Sequence, residues 1–163
     1  MRRRAMKSGR AALSLMSWGF SGGIVYGLWT SVLSWWDIRE RRLPDVLTIP
    51  AGLLSVTFFN WGGLLWPVLY LLVALRGAGI GGGDIKLALP LGMLVGATAG
   101  PLAVLMACGG AAVLTLLASG IVNVKGGVSH GPSMVVSAGL AMVVYPLIEG
   151  EANILGCLVA PCG

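Results

Sequence analysis

Two of the six acidic residues in this 163-residue chain stand where they could do chemistry together. Asp84 follows three glycines in GAGIGGGDIKLALPLG (residues 77–92) and opens an apolar run. Asp37 closes an earlier apolar run and opens DIRERRLPD (residues 37–45). A carboxylate at membrane depth costs about 2.5–3.5 kcal/mol on insertion scales, so each of these acids asks for a partner. At equal depth the two could share one proton. One carboxylate, ionised, takes a proton from water; the other, protonated, hydrogen-bonds the carbonyl of a scissile peptide bond. Like charges at close range split the two pKa values, so both roles coexist near neutral pH, and the pair titrates as a unit. Water attacks directly, with no covalent acyl intermediate. His130, the sole histidine, is the one base a Ser-His-Asp set could draw on, and no such set competes. This chemistry calls for no cofactor and no metal.

The glycines before Asp84 suit the same purpose. Gly77, Gly79 and Gly81–Gly83 permit positive φ and close approach of another chain, so an extended substrate backbone could lie beside Asp84. Irregular backbone at membrane depth is tolerated where it lines a water-filled cavity. The plainer alternative is a loop whose Asp84 caps the following helix. A phosphate loop is the weaker rival, because GGGDIK lacks the Gly-Lys-Ser/Thr order.

The elements that must position these acids follow from composition. Hydrophobic residues make up 56% of the chain and charged residues only 10%, against about 25% charged in a soluble domain. Too little polar surface remains to cover a soluble fold, and the expected class is an all-α integral membrane protein. Spans of about 20 apolar residues are expected at 11–36, 46–59, 64–75, 84–97, 101–122 and 132–148, about six transmembrane helices. The short second to fourth spans require tilt or extension into loops. The organisation expected is a basic N-terminal segment 1–10, a membrane domain 11–148 and a short tail 149–163.

Charge orients this set. Arg39, Arg41, Arg42, Arg76, Lys86 and Lys125 fall on one face, which the positive-inside rule assigns to the cytoplasm. Asn60–Gly63 and Thr98–Gly100 on the opposite face carry no charge, and Glu149 and Glu151 follow the last span there. MRRRAMKSGR conflicts with this orientation, unless those residues lie along the surface or translation starts at Met6 or Met16. The net charge of +5 is spread over short loops between apolar runs, a pattern that speaks against nucleic-acid binding. The cysteines have no metal-ligand spacing; Cys108 reads as packing, and Cys157 with Cys162 as either a pair or two free thiols.

With these motifs in view, the chain resembles the type IV prepilin peptidases, membrane aspartic proteases with a Gly-x-Gly-Asp motif. GGGDIKLALPLG is similar to that motif, DIRERRLPDVLTIP (residues 37–50) to the family's first aspartate block, and VSHGPSMVVSAG (residues 128–139) to its late Gly-Pro block. The resemblance implies the Gly-x-Gly-Asp protease fold, with Asp37 and Asp84 as the catalytic pair. It also implies a prepilin or pseudopilin substrate cut at the cytoplasmic face of the inner membrane, just before its hydrophobic segment. Larger members carry a CxxC-bearing domain and methylate the new N-terminus. This chain has no CxxC and no room for that domain, so a peptidase without methylation is expected, similar to the short members tied to tight-adherence or Flp pili. His130 departs from the pattern, standing where the late block often has an aromatic residue.

The remaining polar residues have plainer readings beside functional ones. Gly81, Gly82, Gly83, Lys86, Gly131 and Pro132 are the candidates for substrate contact. Lys86 reads first as an interfacial anchor and second as a group tuning the Asp84 charge, and Gly131-Pro132 reads first as the start of the last helix. Asp45 reads as the cap of the second span and is the rival to Asp37. Gly92, Gly96 and Gly100 have small-xxx-small spacing for close helix contact, and the six tryptophans read as mainly interfacial anchors. Two other functions remain open: a small transporter whose acids carry protons or cations, and a catalytically silent assembly factor for a pilus or secretion machine.

Overall fold

The computed structural model describes residues 22–40, 42–77, 80–121 and 129–159. Among these residues all regular structure is helical: α1 (22–40), α2 (Asp45–Ser55), α3 (Leu65–Leu75), α4 (Gly82–Ile121) and α5 (Gly131–Val159). Two 3₁₀ turns, Val56–Phe58 and Trp61–Leu64, join α2 to α3. The basic segment 1–10, the first half of the expected first span, Arg41, Gly79, Lys125 and Cys162 lie outside the described residues.

Each boundary has a local cause. Pro44, extended at φ −70° and ψ 125°, occupies the N-cap of α2 and leaves Asp45 in the first turn, where a negative charge suits the helix dipole. The expected capping role of Asp45 is therefore corrected, for no side chain caps this helix. Asn60 instead caps the second 3₁₀ turn, its side chain accepting from the Gly63 amide at 2.6 Å and donating to the Met93 carbonyl at 2.9 Å. That pair of bonds ties the α2–α3 turn to α4. Gly92 and Gly96 make room for it: a methyl at either position would run into the Gly63 carbonyl or the Asn60 side chain. Their expected part in close contact holds, although the partner is a turn rather than another helix axis.

Gly100 does something different. Its φ of 84° and ψ of 176° interrupt α4, a conformation open to glycine and costly elsewhere, and Pro101 begins the second half. Unbroken, the 40 residues of α4 would reach about 60 Å. Yet Asn60 and Gly63 tie the start of α3 to the first half, and Tyr70 of α3 meets Thr115 of the second half across the His130 ring. The two halves must therefore run back alongside each other, a helical hairpin with Gly100 at its tip. The expected close-packing role of Gly100 gives way to this reversal, and the expected break between the fourth and fifth spans falls there. At the other boundaries, α4 begins at Gly82 rather than Asp84, and α5 continues past the expected end at Ile148 to Val159.

The core between the helices is built of small and medium side chains, including Ala88, Ala103, Ala107, Ala111 and Ala138 with Leu87, Leu91 and Val95. Long apolar side chains point outward on every helix: Val25 and Trp35 on α1, Val46 and Leu53 on α2, Leu75 on α3, Leu116 on α4 and Val143 on α5 are all exposed. A soluble monomer rarely shows contiguous apolar surface of this extent. The helix Gly82–Ile121 is long and apolar enough to cross a membrane. Trp35, Trp36 and Trp61 are exposed as expected of anchors, whereas Trp66 is wholly buried at the start of α3.

Candidate active site

The polar residues of interest gather at one end of the molecule, opposite the Gly100 tip. Asp37 sits in the last turn of α1, one helical turn before the charged loop. It is 7% exposed, a degree of burial a carboxylate tolerates when hydrogen bonds compensate it. They come from the start of α5: the Ser129 hydroxyl donates to Asp37 Oδ2, and the Gly131 amide donates to the same oxygen at 3.0 Å. Gly131 is required for this approach. A methyl at position 131 would collide with Oδ2 and lie 3.1 Å from Asp37 Cγ.

Asp84 occupies the third position of α4. Its backbone amide donates to the Gly81 carbonyl at 3.1 Å, and its carboxylate reaches back toward the Gly81 backbone, the placement of an acid at the third position of a helix N-terminus. The capping alternative is thus part of the local geometry. It does not consume the group, because the carboxylate is only partly buried and lies within reach of the charges of His130 and Asp37. Gly81 and Gly82 are exposed at the mouth of α4, while Gly83 lies against Leu43, whose side chain would be 3.3 Å from a methyl there. The expected positive φ does not occur at Gly81–Gly83; among the described glycines it occurs at Gly77 and Gly100. The motif glycines instead leave the entrance to Asp84 free of side chains.

Lys86 does not face Asp84. Its ammonium pairs with Asp45 Oδ1 at 2.7 Å, with both side chains more than half exposed, so this ion pair links α2 to α4 on the rim of the same end. Pro132 lies in the first turn of α5, where its missing N–H costs nothing.

The sequence reading left His130 without a role, and the structure sets it between Ser129 and Gly131, the two residues that hold Asp37, within reach of the Asp84 charge. His130 stands just before α5, its carbonyl accepting from the Met134 amide at 3.2 Å. Its ring is held on both nitrogens, Nε2 to the Tyr70 hydroxyl at 2.7 Å and Nδ1 to the Thr115 hydroxyl at 2.6 Å. Burial pushes the imidazole below its ordinary pKa, against the opposing pull of the Asp84 and Asp37 charges. Asp37 and Asp84, brought from α1 and α4, therefore share one neighbourhood centred on this ring. Ser129, Tyr70 and Thr115 were also missed; a hydroxyl inside an apolar helix carries no mark in sequence that separates a partner of a distant residue from one bonded to its own backbone.

Such an arrangement can bind a water between two acids and hold an extended backbone against the exposed glycines. The family model described as the type IV leader peptidase family matches residues 24–116 of this chain, more than half its length. The matched stretch includes Asp37, Tyr70, Asp84 and Thr115 and ends before Ser129. No curated protein and no solved structure matches it significantly.

Proposed function

The chain belongs to the type IV leader peptidase family and is accordingly a peptidase, and from that premise we propose that it is an aspartic endopeptidase that removes the leader of prepilin-like proteins, with Asp37 and Asp84 as the catalytic pair. One observation carries this reading: the residues on either side of His130 hold the Asp37 carboxylate, and Asp84 from another helix lies close enough that its charge reaches the same half-buried ring. A shared neighbourhood is what two carboxylates need to divide the ionised and protonated roles between them.

The chemistry follows from those roles. The ionised carboxylate accepts a proton as the water oxygen adds to the peptide carbonyl carbon. The protonated carboxyl hydrogen-bonds the carbonyl oxygen and delivers its proton there, giving a gem-diol. Collapse breaks the C–N bond: the carboxyl that took the water proton passes it to the leaving amine, the other carboxylate takes back a proton from a gem-diol hydroxyl, and both regain their starting states. Gly81 and Gly82, exposed beside Asp84, are the surface along which the substrate backbone lies, with Gly83 behind them. Gly131 acts through Asp37, whose oxygen its amide already holds. Lys86, engaged with Asp45, and Pro132 border the entrance for the substrate.

The same reading covers the setting. The outward-facing Leu, Val and Trp side chains on all five helices, with α4 reversing at Gly100, fit a multi-pass protein of six membrane-crossing segments in the inner membrane. Arg39, Arg42, Arg76 and Lys86 then share the end that carries the acids, the cytoplasmic end by the positive-inside rule. A prepilin or pseudopilin leader would remain in the cytoplasm while its apolar helix lies in the bilayer, so that the bond to be cut is held at the depth of the acids. Positioning of that kind can supply much of the rate. Within these residues no CxxC pair occurs, and cleavage without N-methylation is the product pattern proposed.

The test is co-expression with a prepilin of the Flp type, cleavage being read as a mobility shift with the new N-terminus sequenced. Asp37→Asn and Asp84→Asn abolish cleavage at matched membrane levels, and Asp45→Asn retains it. Wild-type cleavage by the first two variants would end the aspartic reading.

A further inference from the structure

Three consecutive residues before and at the start of α5 do two jobs. Ser129 and Gly131 donate to Asp37, while His130 between them turns the other way and is bonded by α3 and by the second half of α4. We propose that His130 is a positioning residue for Asp37: a neutral imidazole clasped between Tyr70 and Thr115, which locks the turn that aims the Ser129 hydroxyl and the Gly131 amide at the carboxylate. The catalytic assignment of Asp37 that gives this its meaning rests on the reading above; the clasp itself does not.

The hydrogen bonds fix the form of the ring. Thr115 Oγ1 has one proton and an acceptor for it in the Ala111 carbonyl, at 2.9 Å. Its oxygen is then free to accept from His130 Nδ1, so the proton of the neutral ring sits on Nδ1. Nε2 is left as the acceptor, and the Tyr70 hydroxyl donates to it. The result is a directed chain running from Tyr70 through His130 and Thr115 to a backbone carbonyl. A second proton on the ring would force the Tyr70 hydroxyl to turn and accept where it now donates, reversing the order of the chain at that end. Burial favours the neutral ring. The titratable groups facing the ring are Asp37 from α1, Tyr70 from α3 and Asp84 from α4, with Cys108 of α4 near Tyr70; the two acids pull against the effect of burial.

Because the chain holds one histidine, the clasp can be seen directly. The full chain, carrying a purification tag without histidine and ¹⁵N-labelled at histidine, would be titrated in detergent micelles while its two ring nitrogens are followed by NMR. The expected spectrum is a single Nδ1–H tautomer that persists to lower pH than free imidazole. Asp84→Asn should move its half-titration down. In the cleavage assay His130→Phe lowers kcat about ten- to a hundredfold, the range expected when a reacting group is misplaced, with KM within about twofold. His130→Gln, whose amide can accept from Tyr70 and donate to Thr115, recovers a large part of that loss. Adding Ser129→Ala to His130→Phe costs little more, since the hydroxyl has already lost its aim. A tautomer mixture titrating like free imidazole would overturn the clasp, and so would full kcat in His130→Phe. The spectrum reads the ring whether or not a substrate is cut, so a failure of the peptidase reading is seen separately.

Discussion

Replacing Gly131 by alanine tests the site at its tightest point. The new methyl would occupy the space of Asp37 Oδ2 and sit 3.1 Å from Cγ, so the carboxylate must swing away and surrender the 3.0 Å bond from the Gly131 amide. A hydrogen bond to a charged group contributes about 1.5–3 kcal/mol. At 1.36 kcal/mol for each factor of ten, losing it where it holds a reacting group predicts a fall in kcat of about 10- to 150-fold. KM should move little, because Gly131 is buried and out of reach of a substrate. The assay is steady-state cleavage of a purified prepilin by detergent-solubilised enzyme, with thermal stability measured alongside. Gly139→Ala, two turns further along α5, is the control: its methyl meets Tyr26 Cε1 at 3.6 Å, an ordinary contact, and activity should stay near wild type. If Gly131→Ala retains kcat within about twofold and its stability is unchanged, Asp37 is not held by this amide in the working enzyme, and the reasoning fails.

Other outcomes follow from the same geometry. Gly96→Ala forces its methyl against Asn60 Oδ1 and to within 2.8 Å of the Gly63 amide; overpacking of this kind costs about 1–3 kcal/mol, seen as a lower midpoint of thermal unfolding in detergent. Asn60→Ala removes the cap on the same turn, worth about 0.5–2 kcal/mol, and the double variant should lose less than the sum because both changes break one contact. Lys86→Met removes an ion pair that is more than half exposed, so the unfolding midpoint should shift by less than about 1 kcal/mol in equivalent stability. For pH the sign follows from His130: its folded form resists protonation, whereas the unfolded chain takes a proton below about pH 6.5. Stability is therefore full above that pH and declines as pH falls toward the lowered folded value; His130→Phe should flatten this part of the profile.

The spans and the two acids were legible because their signals are local. Apolar runs broken by charge gave most of the described helix boundaries to within a few residues, the end of α5 excepted, and Asp37 and Asp84 stood out as acids at the ends of such runs. Gly100 was read for its spacing with Gly92 and Gly96, which suggests contact, while its backbone conformation serves the reversal of α4; spacing alone does not report φ. Asp45 failed as a cap because Pro44 occupies that position, a competition between neighbours that type preference does not resolve. The wholly hidden part was the ring of Tyr70, Thr115 and His130. These residues are 15 and 60 positions apart, and what joins them is the folding of α3 and α4 against the start of α5.

Asp37 receives its partners late. Ser129 and Gly131 follow it by 92 and 94 positions, so a ribosome adding about 5–20 residues per second finishes α1 roughly 5–20 s before the turn that will hold its carboxylate exists. If Asp37 has the catalytic role proposed for it, a nascent chain with both aspartates already made should be inert, and so should a product truncated before α5: hydrolysis then waits on the synthesis of the turn that holds the carboxylate.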